Sequence, residues 1–589
     1  MKLYKINFLR FIKNYHISIV VLAGLLYFCY KVLHTFSTLF STNDIFYGLA
    51  ATQRHYFILF IVFLYASYEY VYGFKTTHIE ETVFSNHKGK VKSYLYIFLT
   101  LFTPVLFVFV FSVIINFITG IIGNITNPVY YLHILIVCVL NCLLFFIISI
   151  LFGIILATKF NRIVAYTIMI LSLFLMSSVL DMFFQMLSYK TEINFFTFKY
   201  FFSKILPQNT SVLPEYQYGI SAEIMRWNLT CFWIFALCTI LILTVKSKTK
   251  RNSIISVCLC VLLTIVNLAG YILGGSEVLY DNSLKSIATY DAMYYKTSPK
   301  LEEKVGFTVD TYDMNLNIWR DLSATVTMKI NNPEKLKEYK FMLYRDFKIA
   351  SVIDENKNKL EWKHNGDYLN IISHEAVSEI TITYKGASNI FFSNIQATAL
   401  PGSFPYYPIA GFHILNDTEV NELEDGTKQV LSNPGYLPIS NGFTSQYNIK
   451  INTLMPVYSN IEEVQGRKNE FSGKATYPTL MSGLIEKGSG RTYQYYPLIA
   501  TYENNLLTEE KLNNLQSEID KYENKTGKQT HLDLTKVTIF NVSAIFEWAS
   551  YGYATALDDQ IFIADCDETD AEKIAEILVE EYNGYVEVK

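Results

Sequence analysis

Hydrophobic residues are distributed along this chain in two different ways. Before residue 275 they form seven long apolar runs, at about 17–36, 55–74, 94–118, 132–157, 163–188, 228–245 and 253–273. Crossing a bilayer as a helix takes roughly 20 such residues, and these runs are long enough to do so. From Val309 the pattern becomes the alternation of half-buried strands. VDTYDMNLNIW, SATVTMKI, FMLYRDFKIASVI, YLNII and EITITYKG are separated by the turn-forming NNPEK, ENKNK and KHNGD. Helical spacing returns in LTEEKLNNLQSEIDKYENKTG, followed by the strand-like KVTIFNV and QIFIA and a last amphipathic stretch, DETDAEKIAEILVEEY. The pattern predicts a polytopic α-helical membrane protein with seven spans, then an extracytoplasmic β-rich domain and a small α/β region. The parts are expected at 1–275 (transmembrane), 276–305 (linker), 306–490 (an antiparallel, sandwich-like β-domain) and 491–589 (α/β).

Composition narrows the class. Only 17% of residues are charged, against roughly 25% in soluble domains, which excludes a wholly soluble protein. Residues 1–275 carry 20 Lys/Arg and 8 Asp/Glu, net +12, whereas the remainder carries 29 and 45, net −16. Neither half has the clustered basic face of a nucleic-acid binder, so no nucleic-acid partner is expected. The abundance of Ile, Asn, Lys, Tyr and Phe fits AT-rich bacterial coding. Seven of eight cysteines lie in apolar segments, where a thiol acts as a small hydrophobe. Cys566 stands alone in the second half, which therefore holds no internal disulfide.

Basic residues orient the spans. One set of connections holds 14 of them: Lys2, Lys5, Arg10, Lys13; Lys75, Lys88, Lys90, Lys92; Lys159, Arg162; Lys246, Lys248, Lys250 and Arg251. The alternate set holds five: Arg54, Lys190, Lys199, Lys204 and Arg226. The N-terminus is expected in the cytoplasm of a multi-pass cell-membrane protein, and with seven spans everything after about 275 lies outside. No small-residue cleavage site follows Ile17–Leu33, so the first span is read as uncleaved. Two connections stand out. Lys75–Ser93 is long enough for a short surface helix, with Thr76 or Thr77 placed to cap it and Glu80 and Glu81 favouring its first turn. Tyr189–Trp227 contains INFFTFKYFFSKILP, read as an interfacial or re-entrant helix. Lys31, Glu69 and Asp181 are the intramembrane charge candidates, each near a span end where a side chain can snorkel.

The stretch YEYVYGFKTTHIEETVFSNHKGKVKSYL, Tyr68 to Leu95, resembles in layout the permease subunits of type-2 ABC exporters, with a cytoplasmic coupling helix between spans two and three. The resemblance covers about residues 1–250. It implies that Thr77, His78, Ile79, Glu80, Glu81, Thr82, Val83 and Phe84 dock into a separate cytoplasmic ABC ATPase, which would hold the ATP and Mg. It also implies a second permease chain, identical or different. A seventh span departs from that family's six and tethers the second half outside. The phosphate-loop-like Lys525-Thr526-Gly527-Lys528-Gln529-Thr530 has Tyr522 where a glycine is needed and Gln529 where Ser or Thr is needed, so no ATPase is expected in this chain.

The strand series ending in Ile380–Gly386, the aromatic-proline stretch Phe404–Pro408, the helix Thr508–Tyr522, the strand Lys536–Val542 and an edge strand near Ala554–Ala564 resemble, in order, aminopeptidase-N-like zinc metallopeptidases of the gluzincin group. That family binds zinc through H-E-x-x-H on a helix. Of the four histidines here, His364, His374, His413 and His531, no two are four apart, and His374-Glu375-Ala376-Val377-Ser378 ends in Ser. No metal, no cofactor and no catalytic residue is expected, and the outer half is read as a peptidase-like pseudoenzyme. Two functions follow. The first is a transporter permease subunit exporting or clearing a peptide or other amphipathic substrate, with membrane lipid and extracellular peptide as further partners. The second is a membrane-anchored peptide-binding receptor or sensor.

Overall fold

We describe the fold from a computed structural model of the 589-residue chain. The structure describes residues 2–42, 45–77, 87–180, 183–184, 186–187, 195–207, 216–245, 251–273, 294, 298–388, 391–415, 420–422, 428–430, 443–488, 494–498, 509–530, 532–542, 554–557, 559–564 and 571–587. The chain forms two compact units, one of residues 1–211 and 220–274, the other of residues 212–219 and 275–589.

The first unit is helical. Among the described residues, six helices are long and apolar enough to cross a membrane: Tyr15–Ser37, Gly48–Thr76, Lys92–Ile122, Pro128–Lys159, Ile224–Thr244 and Ile254–Ile272. In the region of the expected fifth span, Arg162–Met176 is apolar but only 15 residues long. Local chemistry sets the helix starts. Asn127 accepts from Val129 N–H at 3.0 Å with Pro128 at the first helical position, and Asn161 accepts from Val164 N–H at 3.0 Å. Gly153 lets Phe145–Lys159 approach Tyr56–Thr76 closely: a Cβ there would stand 2.7 Å from both the Leu64 carbonyl oxygen and Ser67 Cβ. Along Arg251–Ile272, Leu259, Leu262, Ile265 and Val266 are all exposed, a surface that suits hydrocarbon rather than water.

The second unit is built on a six-stranded sheet ordered Glu470–Ala475, Ser445–Asn452, Thr308–Ile318, Leu322–Asn331, Glu379–Gly386, Lys348–Asp354. The antiparallel expectation meets one departure here: Thr308–Ile318 and Ser445–Asn452 pair in parallel, Tyr312 opposite Tyr447. Between these two strands the chain completes a four-stranded sheet and lays down the first strand of a three-stranded one, Thr398–Leu400, and so long a crossover permits parallel pairing. FMLYRDFKIASVI is not one strand. It ends at Met342, turns through Tyr344–Phe347, where Phe347 N–H donates to the Tyr344 carbonyl, and resumes at Lys348. His374–Ser378 lies in the loop between Tyr368–Ile372 and Glu379–Gly386 rather than in a strand.

Tyrosines dominate this core, and burial obliges each hydroxyl to find a partner. Tyr384 donates to the Tyr406 carbonyl and Tyr406 to the Pro478 carbonyl, both at 2.7 Å, while Tyr312 and Tyr447 stack at 5.0 Å between centroids. The stretch Phe404–Pro408 is buried throughout. A five-stranded mixed sheet follows, ordered Ile485–Lys487, Gln494–Pro497, Thr538–Val542, Gln560–Ala564, Ala554–Leu557. Strand alternation divides its two faces. Ile539, Ile561 and Ile563 pack under the helices Glu509–Thr526 and Ala571–Glu587, whereas Phe540 and Phe562 join the β core.

Residues 212–219 come from the connection leading to Ile224–Val245 but belong to the second unit. Buried Gln217 donates through Nε2 to the carbonyls of Thr398 at 2.7 Å and Ser482 at 2.9 Å, and its own carbonyl accepts from Leu484 N–H. Asn394 Nδ2 donates to the Tyr218 hydroxyl at 2.9 Å, and Gln396 Nε2 to the Tyr218 carbonyl at 2.7 Å. Gly483 sits at positive φ, where a Cβ would strike the Gln217 carbonyl.

Candidate functional site

Of the segment expected to dock into an ATPase, only Thr77 falls among the described residues. It closes the helix Tyr56–Thr76, its hydroxyl donating to the Gly73 carbonyl at 2.7 Å. His78, Ile79, Glu80, Glu81, Thr82, Val83 and Phe84 lie outside the described residues, as does Asp181. Lys31 is half-buried on Tyr15–Thr42. Glu69 is the candidate charge with a built environment. Its carboxylate accepts from Arg162 at 2.9 Å and from the Tyr166 hydroxyl at 2.6 Å, joining Tyr56–Thr76 to Arg162–Met176. Arg162 also lies over the Tyr72 ring, 5.2 Å from its centroid.

The structure also brings together residues that a search by charge passes over. Thr52 and Tyr56 meet Ser112 and Asn116 of His87–Ile122, and Tyr130, Cys138 and Cys142 of the neighbouring Pro128–Leu144 complete the group. All are buried. Asn116 Nδ2 donates to Thr52 Oγ1 at 3.2 Å, and the Tyr130 hydroxyl to the Asn116 carbonyl at 3.0 Å. The Tyr56 hydroxyl faces Ser112, Thr52 and the thiols of Cys138 and Cys142. Asn141 lies in Val139–Leu144, one turn of π-helix inside an apolar helix, a local widening that recurs at functional positions. Its Oδ1 accepts from Arg226 at 2.8 Å. Buried Arg226 also donates to the carbonyls of Lys204 at 3.1 Å, Leu206 at 2.7 Å, and Ser221. It thus gathers both stems of the connection whose tip belongs to the second unit. Lys199, counted from sequence only as a basic connection residue, and Glu223 are buried as well.

In the second unit the strand Ala554–Leu557 ends the five-stranded sheet, paired antiparallel with Gln560–Ala564. Two of the histidines are held within the β core. His364 Nε2 pairs with the Leu343 carbonyl at 2.9 Å, and burial pushes its pKa down against the opposing pull of that bond. His413 sits between the Ala410 carbonyl at 3.0 Å and Glu302 at 3.3 Å. His531 lies outside the described residues. Among the described residues no three His, Cys, Asp or Glu side chains converge as metal ligands would.

No protein-family model matches this chain, and no curated protein matches it in sequence. Solved structures give a weak similarity to M1 zinc metallopeptidases. One is that of Deinococcus radiodurans, at 11% identity and a TM-score of 0.30, covering 48% of this chain and 65% of the enzyme. Another is a two-domain M1 zinc metallopeptidase variant bound to L-arginine, at 10% identity and a TM-score of 0.31 over the same shares. The chain therefore spans less than two thirds of the length of either enzyme.

Proposed function

We propose that this chain is the membrane-spanning permease subunit of an ATP-driven ABC transporter, working with a separate cytoplasmic ATPase and a second permease chain in the cell membrane. The observation that carries this reading is the polar seam inside the helical unit. A helix bundle that serves only to anchor an outer domain gains nothing from burying Gln53, Asn116 and Asn141, because each amide costs free energy in an apolar setting unless a polar partner is supplied. A bundle that passes a polar or amphipathic substrate needs such groups. In this reading Thr77–Phe84 form the contact with the ATPase, and the second unit is a catalytically inactive peptidase-like domain. Its edge strand Ala554–Leu557 would take an extended peptide by strand addition. The net −16 of residues 276–589 favours cationic peptides through long-range attraction.

The test is co-purification. The protein is solubilised in mild detergent from its native membrane, as wild type and with Glu80→Lys and Glu81→Lys. An ABC ATPase that accompanies the wild type and is lost from the variant is the expected result. Absence of an ATPase from both would turn the assignment to a membrane-anchored peptide-binding receptor.

A further inference from the structure

At one end of the six-stranded sheet, positive charge and exposed apolar side chains come together. The last full rung there runs Asn452, Asn317, Ser323, Lys385, Lys348 across five strands, each residue exposed. Lys385 and Lys348 stand directly opposite each other, an arrangement that repels, and among the described residues no carboxylate pairs with either. The adjoining turns 319–321 and 344–347 each carry one arginine and one aspartate, and segments 387–397 and 453–456 carry no charge. The two lysines are therefore a local surplus of positive charge, although residues 276–589 together carry net −16. Two residues beyond the rung, off neighbouring strands, come Trp319 and Leu454, 42% and 66% exposed.

The chain itself supplies a surface for this end to meet. Ile395 N–H donates to the Trp319 carbonyl at 2.7 Å, and the next residue, Gln396, donates to the Tyr218 carbonyl at 2.7 Å. Tyr218 belongs to residues 212–219, and Gly219 stands five residues before Ile224, where the apolar helix Ile224–Thr244 begins. Five residues reach no further than about 18 Å. We propose that this end of the sheet rests on the surface of the membrane that the helical unit crosses, with Trp319 and Leu454 entering the headgroup layer and Lys348 and Lys385 taking up lipid phosphates. Tryptophan favours that layer because its ring is apolar and its N–H is wet. Lysines close to the surface are drawn to anionic lipid, whereas the acidic remainder of the unit is repelled by it. The proposal rests on the helical unit spanning a membrane and not on an ATPase partner.

The test uses full-length chains with one cysteine each, labelled with the fluorophore NBD and reconstituted into nanodiscs of phosphatidylcholine with phosphatidylglycerol. One chain retains only Cys258, exposed on Arg251–Ile272; in the others Leu454→Cys or Asn331→Cys supplies the thiol. Asn331 is exposed at the far end of the same sheet, opposite Thr308. Quenching of the Cys258 label by lipid spin-labelled on its acyl chain checks the spanning unit. Lipid spin-labelled on its headgroup should quench the Leu454→Cys label at least about twofold more than the Asn331→Cys label. Adding Lys348→Glu and Lys385→Glu should remove most of that difference, and leaving out phosphatidylglycerol should weaken it. With Cys258 quenched, equal quenching at the two sheet positions would overturn the proposal. So would a difference that ignores both the lysines and the anionic lipid, because the contact would then be apolar without phosphate recognition. An unquenched Cys258 would overturn the membrane-spanning reading and the proposal with it.

Discussion

Glu69 holds two partners on another helix, and the worth of that arrangement depends on how much water reaches it. Its side chain is 13% exposed and that of Arg162 is 57% exposed, so the pair is half in solvent and screening takes much of its attraction. A double-mutant cycle of Glu69→Gln and Arg162→Met should give a coupling of about 0.5–1 kcal/mol, read from thermal unfolding in detergent. Glu69→Gln alone should cost more than Arg162→Met alone, because it also weakens the acceptor for the Tyr166 hydroxyl. In the second unit His364 gives a pH dependence whose sign follows from its lowered pKa. Below about 6.5 the unfolded chain takes up a proton that the folded chain does not, so stability falls as pH falls from there toward the folded pKa. The urea midpoint of full-length protein, followed by hydrogen exchange in Glu361–Ile372, should show this loss, and His364→Phe should remove it. Glu69 and the histidines are legible in a sequence because charge and titration are properties of single residues. The pairing of Glu69 with Arg162 and Tyr166, 93 and 97 positions away, is not.

Among elements, the long apolar helices and the strands near the second unit's start were readable from local pattern, since each is fixed by its own run of side chains. The split of FMLYRDFKIASVI was not, because the turn at Tyr344–Phe347 is held from outside: Arg345 N–H donates to Asp367 at 2.8 Å and Tyr344 N–H to the Pro405 carbonyl at 3.0 Å. Helix packing leaves a sharper test in two glycines. Gly153→Ala forces a Cβ within 2.7 Å of the neighbouring helix's backbone, whereas a Cβ at Gly73 meets nothing within 4 Å. We expect Gly153→Ala to destabilise by about 1–3 kcal/mol through overpacking. Gly73→Ala should be neutral or stabilising by about 0.5–1 kcal/mol through helix propensity. Thermal unfolding of the two variants side by side decides it.

At the scale of the whole molecule, residues 212–219 and 275–589 share one compact unit, although the helices Ile224–Val245 and Arg251–Ile272 lie between them in the chain. The count of basic residues leads to the expectation that both segments lie outside. The orientation is tested in intact cells with Ser323→Cys, an exposed position on Leu322–Asn331, in a Cys566→Ser background. A membrane-impermeant maleimide should label it without permeabilisation. Labelling only after permeabilisation would reverse the orientation.

The sequence by itself determined which segments prefer hydrocarbon, which prefer a half-buried sheet, and how charge divides between them, because each preference is summed over neighbours in the chain. Two decisions were left to tertiary structure. His87–Ile122 is apolar on every side, so nothing in its own pattern says that Ser112 and Asn116 turn toward Tyr56 and Thr52 rather than toward lipid. That choice comes from how three helices pack. Nor does TyrGlnTyrGly at 216–219 carry a strand pattern of its own. Its place in the second unit is set by hydrogen bonds to residues 181 and 265 positions further on, contacts that only the folded chain brings within reach.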